Sequence, residues 1–103
     1  MEVNVDKKGN NGIVIFNIKG RLDTKTSPEF QKIIEKNLKG EEKNFIFNFD
    51  EVEYLSSAGL RVILSVKKML NNIEGSSLSI RNVNDNIMEI FDMTGFTEFL
   101  NIY

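Results

Sequence analysis

The chain has 103 residues, 41% of them hydrophobic, and its 13 basic and 15 acidic side chains give a net charge of −2. A chain of this length is expected to form one domain, residues 1–103, with a single hydrophobic core. The sequence contains no cysteine and no histidine. Disulfides, thiolate metal sites, cysteine nucleophiles and histidine general bases are therefore excluded, and no cofactor is expected. The balanced charge predicts neither nucleic acid nor a membrane surface as a partner.

The N-terminal residues 1–6 have neither the cationic region nor the apolar run of a signal peptide. No apolar stretch approaches the ~20 residues that span a bilayer. We therefore expect a cytoplasmic domain. With few catalytic side chains available, binding or switching is favoured over chemistry.

Two strands are predicted at the start of the chain. Val3 and Val5 alternate with polar residues, and residues 13–18 form a second apolar run. The turn-forming residues 7–12 between them favour antiparallel pairing. One face of the second run carries Val14, Phe16 and Ile18, and the other carries Ile13 and Ile15. Apolar side chains on both faces are typical of an interior strand.

A loop over residues 20–26 is predicted to lead into the first helix. Ser27 is a candidate N-cap, and Pro28 suits the first helical position. The apolar residues recur at helical spacing on one stripe: Phe30, Ile33, Ile34 and Leu38. Gly40 is predicted to end this helix.

The middle of the chain predicts a strand over residues 45–49 and a turn over residues 50–55. A second helix follows from Ser57 to Leu70, and Gly75 closes the segment. Its apolar residues form two stripes, Leu60, Ile63, Leu64 and Leu70, and Val62, Val66, Met69 and Ile73. Together they are wider than one buried face requires, so part of this surface is either core or a docking face.

A short strand over residues 77–81 follows, with Leu78 and Ile80 on one face. Residues 84–86 start a third helix that turns Ile87, Ile90 and Phe91 inward. Gly95 is predicted as its left-handed terminal residue, with Phe96 folding back onto Phe91. Residues 99–103 form the last predicted strand.

The predicted order is β-β-α-β-α-β-α-β, which defines a single α/β domain with a mostly parallel sheet. If the strands lie in sequence order, right-handed crossovers place the helices chiefly on one face. The opposite face, which includes Ile13 and Ile15, is then partly uncovered.

The most informative stretch is residues 54–61, YLSSAGLR. Ser56 and Ser57 stand at a helix start, where free amides and a partial positive charge favour an anion such as phosphate. Ala58 and Gly59 are small enough to leave both hydroxyls unobstructed. The simpler alternative is that one serine only caps the helix. No Glu or Gln follows at the third helical position, so a capping box is absent, and a cap needs one hydroxyl rather than two.

Four segments together resemble the bacterial anti-sigma-factor antagonists of the STAS domain family. Residues 52–60, VEYLSSAGL, look like the signature of that family. Residues 20–23, GRLD, match the loop after its second strand, and residues 91–96, FDMTGF, match the end of its third helix. Residues 47–49 match the strand before the signature, with Asn48 where the family has Asp or Asn. The resemblance covers nearly the whole chain.

This resemblance implies a small α/β domain that binds an anti-sigma factor which is also a serine kinase, and so frees a sigma factor. The kinase ends the interaction by phosphorylating a signature serine, and a PP2C-type phosphatase reverses this. The acceptor aligns with Ser57, two residues before the Gly-Leu pair. Ser56, which stands where the best-studied sporulation branch has Asp, remains an alternate acceptor. The resemblance also implies a free monomer.

The predicted partner-binding residues around the acceptor are Asp23, Thr24, Ser56, Ala58, Gly59 and Arg61. Asp23 has an alternative role as a loop-capping residue, and Arg61 as a solvated charge. Asn48 is interpreted as structural, bonding to a neighbouring loop. The acidic residues Asp50, Glu51 and Glu53 would add to the charge of a phosphate and repel acidic groups of the partner.

Two rival functions stay open. One is a STAS module that does not switch, and that scaffolds an assembly or senses a small ligand on the open sheet face or in a groove beside Ser57. The other is an enzyme, since a serine at a strand–helix junction superficially resembles a nucleophile elbow. The Gly-x-Ser-x-Gly pattern is absent and no histidine could activate the hydroxyl, so the enzyme is strongly disfavoured; hydrolysis of an ester that Ser57→Ala abolishes would favour it.

Overall fold

The computed structural model describes residues 1–7, 12–38 and 42–103. Within them the predicted element order is confirmed. The elements are β1 (Glu2–Lys7), β2 (Ile13–Leu22), α1 (Ser27–Lys36), β3 (Asn44–Leu55), α2 (Ser57–Leu70), β4 (Ser77–Arg81), α3 (Asp85–Met93), a 3₁₀ turn (Phe96–Glu98) and β5 (Asn101–Ile102). The predicted turn before β2 lies largely outside the described residues, and so does Gly40. The first helix already ends at Lys36.

The five strands form one sheet in the order β1-β2-β3-β4-β5. β1 pairs antiparallel with β2, as predicted, and the remaining neighbours are parallel. Because the parallel strands lie in sequence order, right-handed crossovers bring the helices to one face. The carboxyl ends of β2 and β3 therefore lie side by side, next to the starts of α1 and α2.

The core lies between the helices and one face of the sheet. Val14 and Phe16 on β2 and Phe45 and Phe47 on β3 are fully buried there. Phe30 of α1 packs edge-on against Phe47, with ring centroids 5.2 Å apart. The residues that point to the other face, Ile13, Ile15 and Ile46, are only half-buried, so the predicted open face is confirmed.

β3 is longer than predicted, because residues 50–55 continue the strand instead of turning out of it. The pairing with β2 shifts twice, between Asn17 and Lys19 and between Gly20 and Arg21, and at each shift β3 contributes one extra residue. Each bulge turns two consecutive side chains outward. The buried positions Phe49, Val52 and Leu55 thus follow one another every third residue.

The start of α1 also differs from the prediction. β2 continues to Leu22, and Thr26, not Ser27, occupies the N-cap position. The Thr26 hydroxyl is already engaged, since it donates to the backbone oxygen of Arg21 at 2.6 Å. Ser27 instead lies inside the helix, where its hydroxyl is buried without a hydrogen-bond partner in the described structure.

α2 has the predicted bounds, and it buries residues from both apolar stripes, among them Val62, Ile63 and Val66. Leu60 and Leu64 are half-buried, so most of the wide apolar surface is core. α3 also begins as predicted, with the Asn84 side chain accepting from the Ile87 amide at 2.9 Å. In the described residues no helix is long and apolar enough to cross a bilayer.

The end of the chain follows the prediction in part. Gly95 has the expected left-handed backbone, with φ +80°, and the rings of Phe91 and Phe96 lie 5.9 Å apart between centroids. The last strand is shorter than residues 99–103, because the amides of Phe99 and Leu100 donate back to the Phe96 oxygen of the 3₁₀ turn, and the strand is Asn101–Ile102.

Candidate functional site

Ser56 is the N-cap of α2. Its backbone is extended, with φ −96° and ψ 174°, and its carbonyl accepts the Leu60 amide at 3.0 Å. Its Oγ accepts from the Gly59 amide at 3.4 Å, a long hydrogen bond. The capping role that the sequence allowed for one of the two serines therefore belongs to Ser56.

Ser57 is the first residue of α2, and its side chain is exposed. Its hydroxyl has no hydrogen-bond partner within residues 1–7, 12–38 and 42–103. The backbone amides of Ser57 and Ala58 precede the first hydrogen bonds of the helix, so they have no acceptor within α2. The two serines thus have different environments, one tied into the cap and one free at the surface.

The loop before α1 is held by its own hydrogen bonds. Asp23 Oδ1 accepts from the backbone amides of Lys25 at 3.0 Å and Thr26 at 2.9 Å. These bonds lower the pKa of Asp23, the Thr26 amide most strongly, because they stabilise the ionised carboxylate. The loop-capping alternative for Asp23 is therefore confirmed in the geometry. Thr24 is exposed in this loop.

One backbone contact joins this loop to the start of α2. The Ser56 amide donates to the backbone oxygen of Leu22 at 2.8 Å. Asp23 follows Leu22 directly and Ser57 follows Ser56, so the structure brings the predicted loop residues beside the predicted acceptor. The two segments come from the carboxyl ends of the neighbouring parallel strands β2 and β3.

The small residues after Ser57 have different environments. Ala58 is half-buried. Gly59 is buried, and a Cβ at its position would lie 2.7 Å from Leu55 Cδ1 and 3.1 Å from Leu22 Cβ. Glycine is thus required here by the close approach of α2 to the strand ends, a packing role that the sequence interpretation did not include. Arg61 is exposed one turn further along the helix.

Sequence reasoning missed a pair of side chains at this edge. The Arg21 guanidinium lies over the Tyr54 ring, with Cζ 4.3 Å from the ring centroid, and Arg21 Nε is 3.8 Å from Asp23 Oδ2. Arg21 belongs to the GRLD segment. Its contact with Tyr54 depends on the second bulge of β3, which sets these two residues opposite each other.

Asn48 connects three segments, as its structural interpretation requires. Its Nδ2 donates to Asn17 Oδ1 at 2.8 Å, and its Oδ1 accepts from the Asp50 amide at 3.1 Å and from Asn82 Nδ2 at 2.9 Å. Asn82 has a left-handed backbone, with φ +59°. The amide of Asn48 thereby holds the first bulge of β3 and the turn after β4 in place.

The acidic residues Asp50, Glu51 and Glu53 are exposed on the bulged part of β3. Glu51 is 3.6 Å from Lys19 Nζ in a pair that is exposed on both sides, so it is worth little to stability. In the described part of the chain, no group of three acidic residues could hold a metal ion.

Residues 4–103 match the family model described as the STAS domain. The chain belongs to the STAS domain family.

It is 29% identical over 103 residues to the anti-sigma-B factor antagonist of Bacillus subtilis (strain 168). This match covers 99% of this chain and 92% of that protein. Its fold resembles that of an anti-sigma factor antagonist from Mycobacterium paratuberculosis, with a TM-score of 0.83, 19% identity, and coverage of 99% of this chain and 84% of the other. The phosphorylated form of the Bacillus cell fate determinant SpoIIAA matches with a TM-score of 0.72 and 17% identity, over 99% of this chain and 91% of that one.

Proposed function

We propose that this chain is an anti-sigma-factor antagonist of the cytoplasm, a binding protein and not an enzyme. It binds an anti-sigma factor with serine kinase activity and so releases a sigma factor. Phosphorylation of Ser57 ends the binding, and a PP2C-type phosphatase restores it. The observation that carries the proposal is the exposed Ser57 hydroxyl, which has no hydrogen-bond partner among the described residues and lies beside the fixed loop of Asp23 and Thr24. Membership of the STAS family and the name of the Bacillus subtilis relative support it.

The chemistry favours Ser57 over Ser56. In the transfer, a bond forms between the serine Oγ and the γ-phosphorus of ATP, the bond from that phosphorus to the bridging oxygen breaks, and ADP leaves. The hydroxyl proton passes to a base of the kinase. Ser57 can be approached without breaking a contact, whereas Ser56 is half-buried and its Oγ caps α2.

The phosphate would act locally. It adds about −1.5 to −2 charges at neutral pH, on a surface that already carries Asp50, Glu51 and Glu53. These charges repel acidic groups of the partner, and the added atoms occupy space in the contact. A loss of roughly 3 kcal/mol in binding free energy lowers affinity by more than a hundredfold.

The test is capture of partners from the lysate of the native organism by wild type, Ser57→Ala, Ser57→Asp and Ser56→Ala, with ADP present so that the baits are not phosphorylated during capture. Wild type and both alanine variants should retain an ATP-binding kinase that Ser57→Asp loses. After incubation with ATP, mass spectrometry should place phosphate on wild type and Ser56→Ala but not on Ser57→Ala. Equal binding by wild type and Ser57→Asp, or phosphate on Ser56, would contradict the proposal.

A STAS module that senses a small ligand is the second candidate. Its supporting observation is a groove of about 190 Å³ on the open sheet face, lined among others by Ile15, Asn48 and Arg81. Binding of a small molecule to this face, in a protein that captures no kinase, would favour it.

A further inference from the structure

Arg61 differs from the other two arginines of the chain. Arg21 lies over Tyr54 and beside Asp23, and Arg81 lies over Tyr103, with Cζ 5.8 Å from the ring centroid. Arg61 is exposed and has neither an ion pair nor an aromatic contact among the described residues. Its guanidinium is therefore not engaged by any side chain of the described residues.

The helix itself offers no carboxylate to this arginine. α2 contains Arg61, Lys67 and Lys68 and no acidic residue. Side chains three or four residues apart on a helix are neighbours. The neighbours of Arg61 at those spacings are Ser57, Ala58, Leu64 and Ser65. Ser57 stands four residues before it, the orientation in which an anion pairs best with a following cation.

We propose that Arg61 is the counterion of phosphorylated Ser57, an inference that rests on the proposed function. In the unmodified protein the guanidinium is open to an acidic group of the partner. After phosphorylation it pairs with the phosphate one turn earlier on the same face of α2. One modification thereby adds negative charge to the contact surface and withdraws a positive charge from it.

Two other cations, Arg21 and Lys68, are less suited to the role. Arg21 is already held by Tyr54 and Asp23. Lys68 is exposed but lies eleven residues beyond Ser57, about 16 Å along the helix axis. Arginine also matches phosphate with two parallel N–H donors, which lysine cannot present. Lys68 is therefore the matched control, because it carries the same charge on the same helix but lies far from Ser57.

The test uses protein carrying phosphoserine at position 57, installed during translation by an expanded genetic code, so no kinase takes part. The second ionisation of a serine phosphate, ordinarily near pKa 6, is followed by ³¹P NMR titration. Arg61→Gln should raise this pKa by about 0.3 unit. The second ionisation adds one negative charge to the phosphate, and its attraction to Arg61 should be about as strong as that of a carboxylate four residues before an arginine on a helix. Lys68→Gln should leave it unchanged, and Arg61→Lys should lie between wild type and Arg61→Gln. The difference between wild type and Arg61→Gln should largely disappear in 1 M salt.

Equal pKa values in wild type and Arg61→Gln would overturn the inference, as would an equal rise in Lys68→Gln. Both outcomes are separate from failure of the proposed function. If lysate kinase never modifies Ser57, the proposed switch fails whatever the titration gives. If the kinase modifies Ser57 while Arg61→Gln leaves the titration unchanged, only the role of Arg61 fails.

Discussion

Gly59→Ala tests the contact through which α2 meets the ends of β2 and β3. An added Cβ would lie 2.7 Å from Leu55 Cδ1, 3.1 Å from Leu22 Cβ and 3.3 Å from the backbone oxygen of Leu22. Leu55 is 3% exposed and Leu22 is 0% exposed, so both are held by surrounding core. The Leu22 oxygen also accepts the Ser56 amide, and it can yield only by disturbing that hydrogen bond.

Two opposing effects set the size of the change. Alanine is favoured over glycine inside a helix by about 0.8–1 kcal/mol. Forcing an extra carbon into a packed contact costs about 1–3 kcal/mol. We expect packing to dominate and the free energy of unfolding to fall by about 1 kcal/mol. For a domain of this size, the melting temperature then falls by about 4–8 °C.

The assay is thermal unfolding followed by circular dichroism, with a control on the same helix. Ser65 is exposed, so Ser65→Gly and Ser65→Ala differ by helix propensity without any change in packing. If Gly59→Ala is more stable than wild type by the same increment that separates these two controls, the close contact is not limiting and the reasoning is refuted.

Three further predictions concern the surroundings of the site. Ser27→Ala should raise the free energy of unfolding by about 1 kcal/mol more than Ser65→Ala does on α2, because it removes a buried hydroxyl that has no hydrogen-bond partner among the described residues; an equal change in the two variants would contradict this. Asp23 has a pKa below its ordinary 3.8, chiefly through the Thr26 amide, so its ionised form stabilises the fold above that pH. In urea unfolding the difference between wild type and Asp23→Asn should therefore be constant above about pH 5 and narrow as the pH falls below 3.8. Asn48→Ala should cost about 1 kcal/mol by leaving its partners on β2 and after β4 unpaired, and an equal loss in Asn101→Ala, at an exposed position, would show that the bridge does not matter.

The regular part of the fold could be predicted because its residues follow one period. The alternating apolar residues of β2 bury one face only if the segment is a strand, and the apolar stripes of α2 do so only if it is a helix. α2 has the predicted bounds. The end of β3 could not be predicted, because two bulges change the period of Phe49, Val52 and Leu55 from two to three. A bulge depends on the partner strand, which a local pattern does not contain.

The candidate site was predictable to within one residue. The sequence places two adjacent serines at a helix start, and a shift of one residue in that start exchanges the capping serine and the free serine. The hydrogen bond from the Ser56 amide to Leu22, which fixes this start, joins residues 34 positions apart along the chain. The start of α1 likewise differs from the prediction by one residue. Thr26 and Asp23 form a compact hydrogen-bonded turn, which places Thr26 rather than Ser27 at the N-cap.

Leu22 has a further consequence for recognition. Its backbone oxygen holds the start of α2, its side chain lies under Gly59, and the loop of Asp23 begins at its carbonyl. The loop and the helix start are thus joined into one preorganised surface, and little conformational entropy would be lost there in the proposed docking of a partner. Affinity for such a rigid surface depends on local shape and charge, which a modification of one side chain can change without rearrangement of the fold.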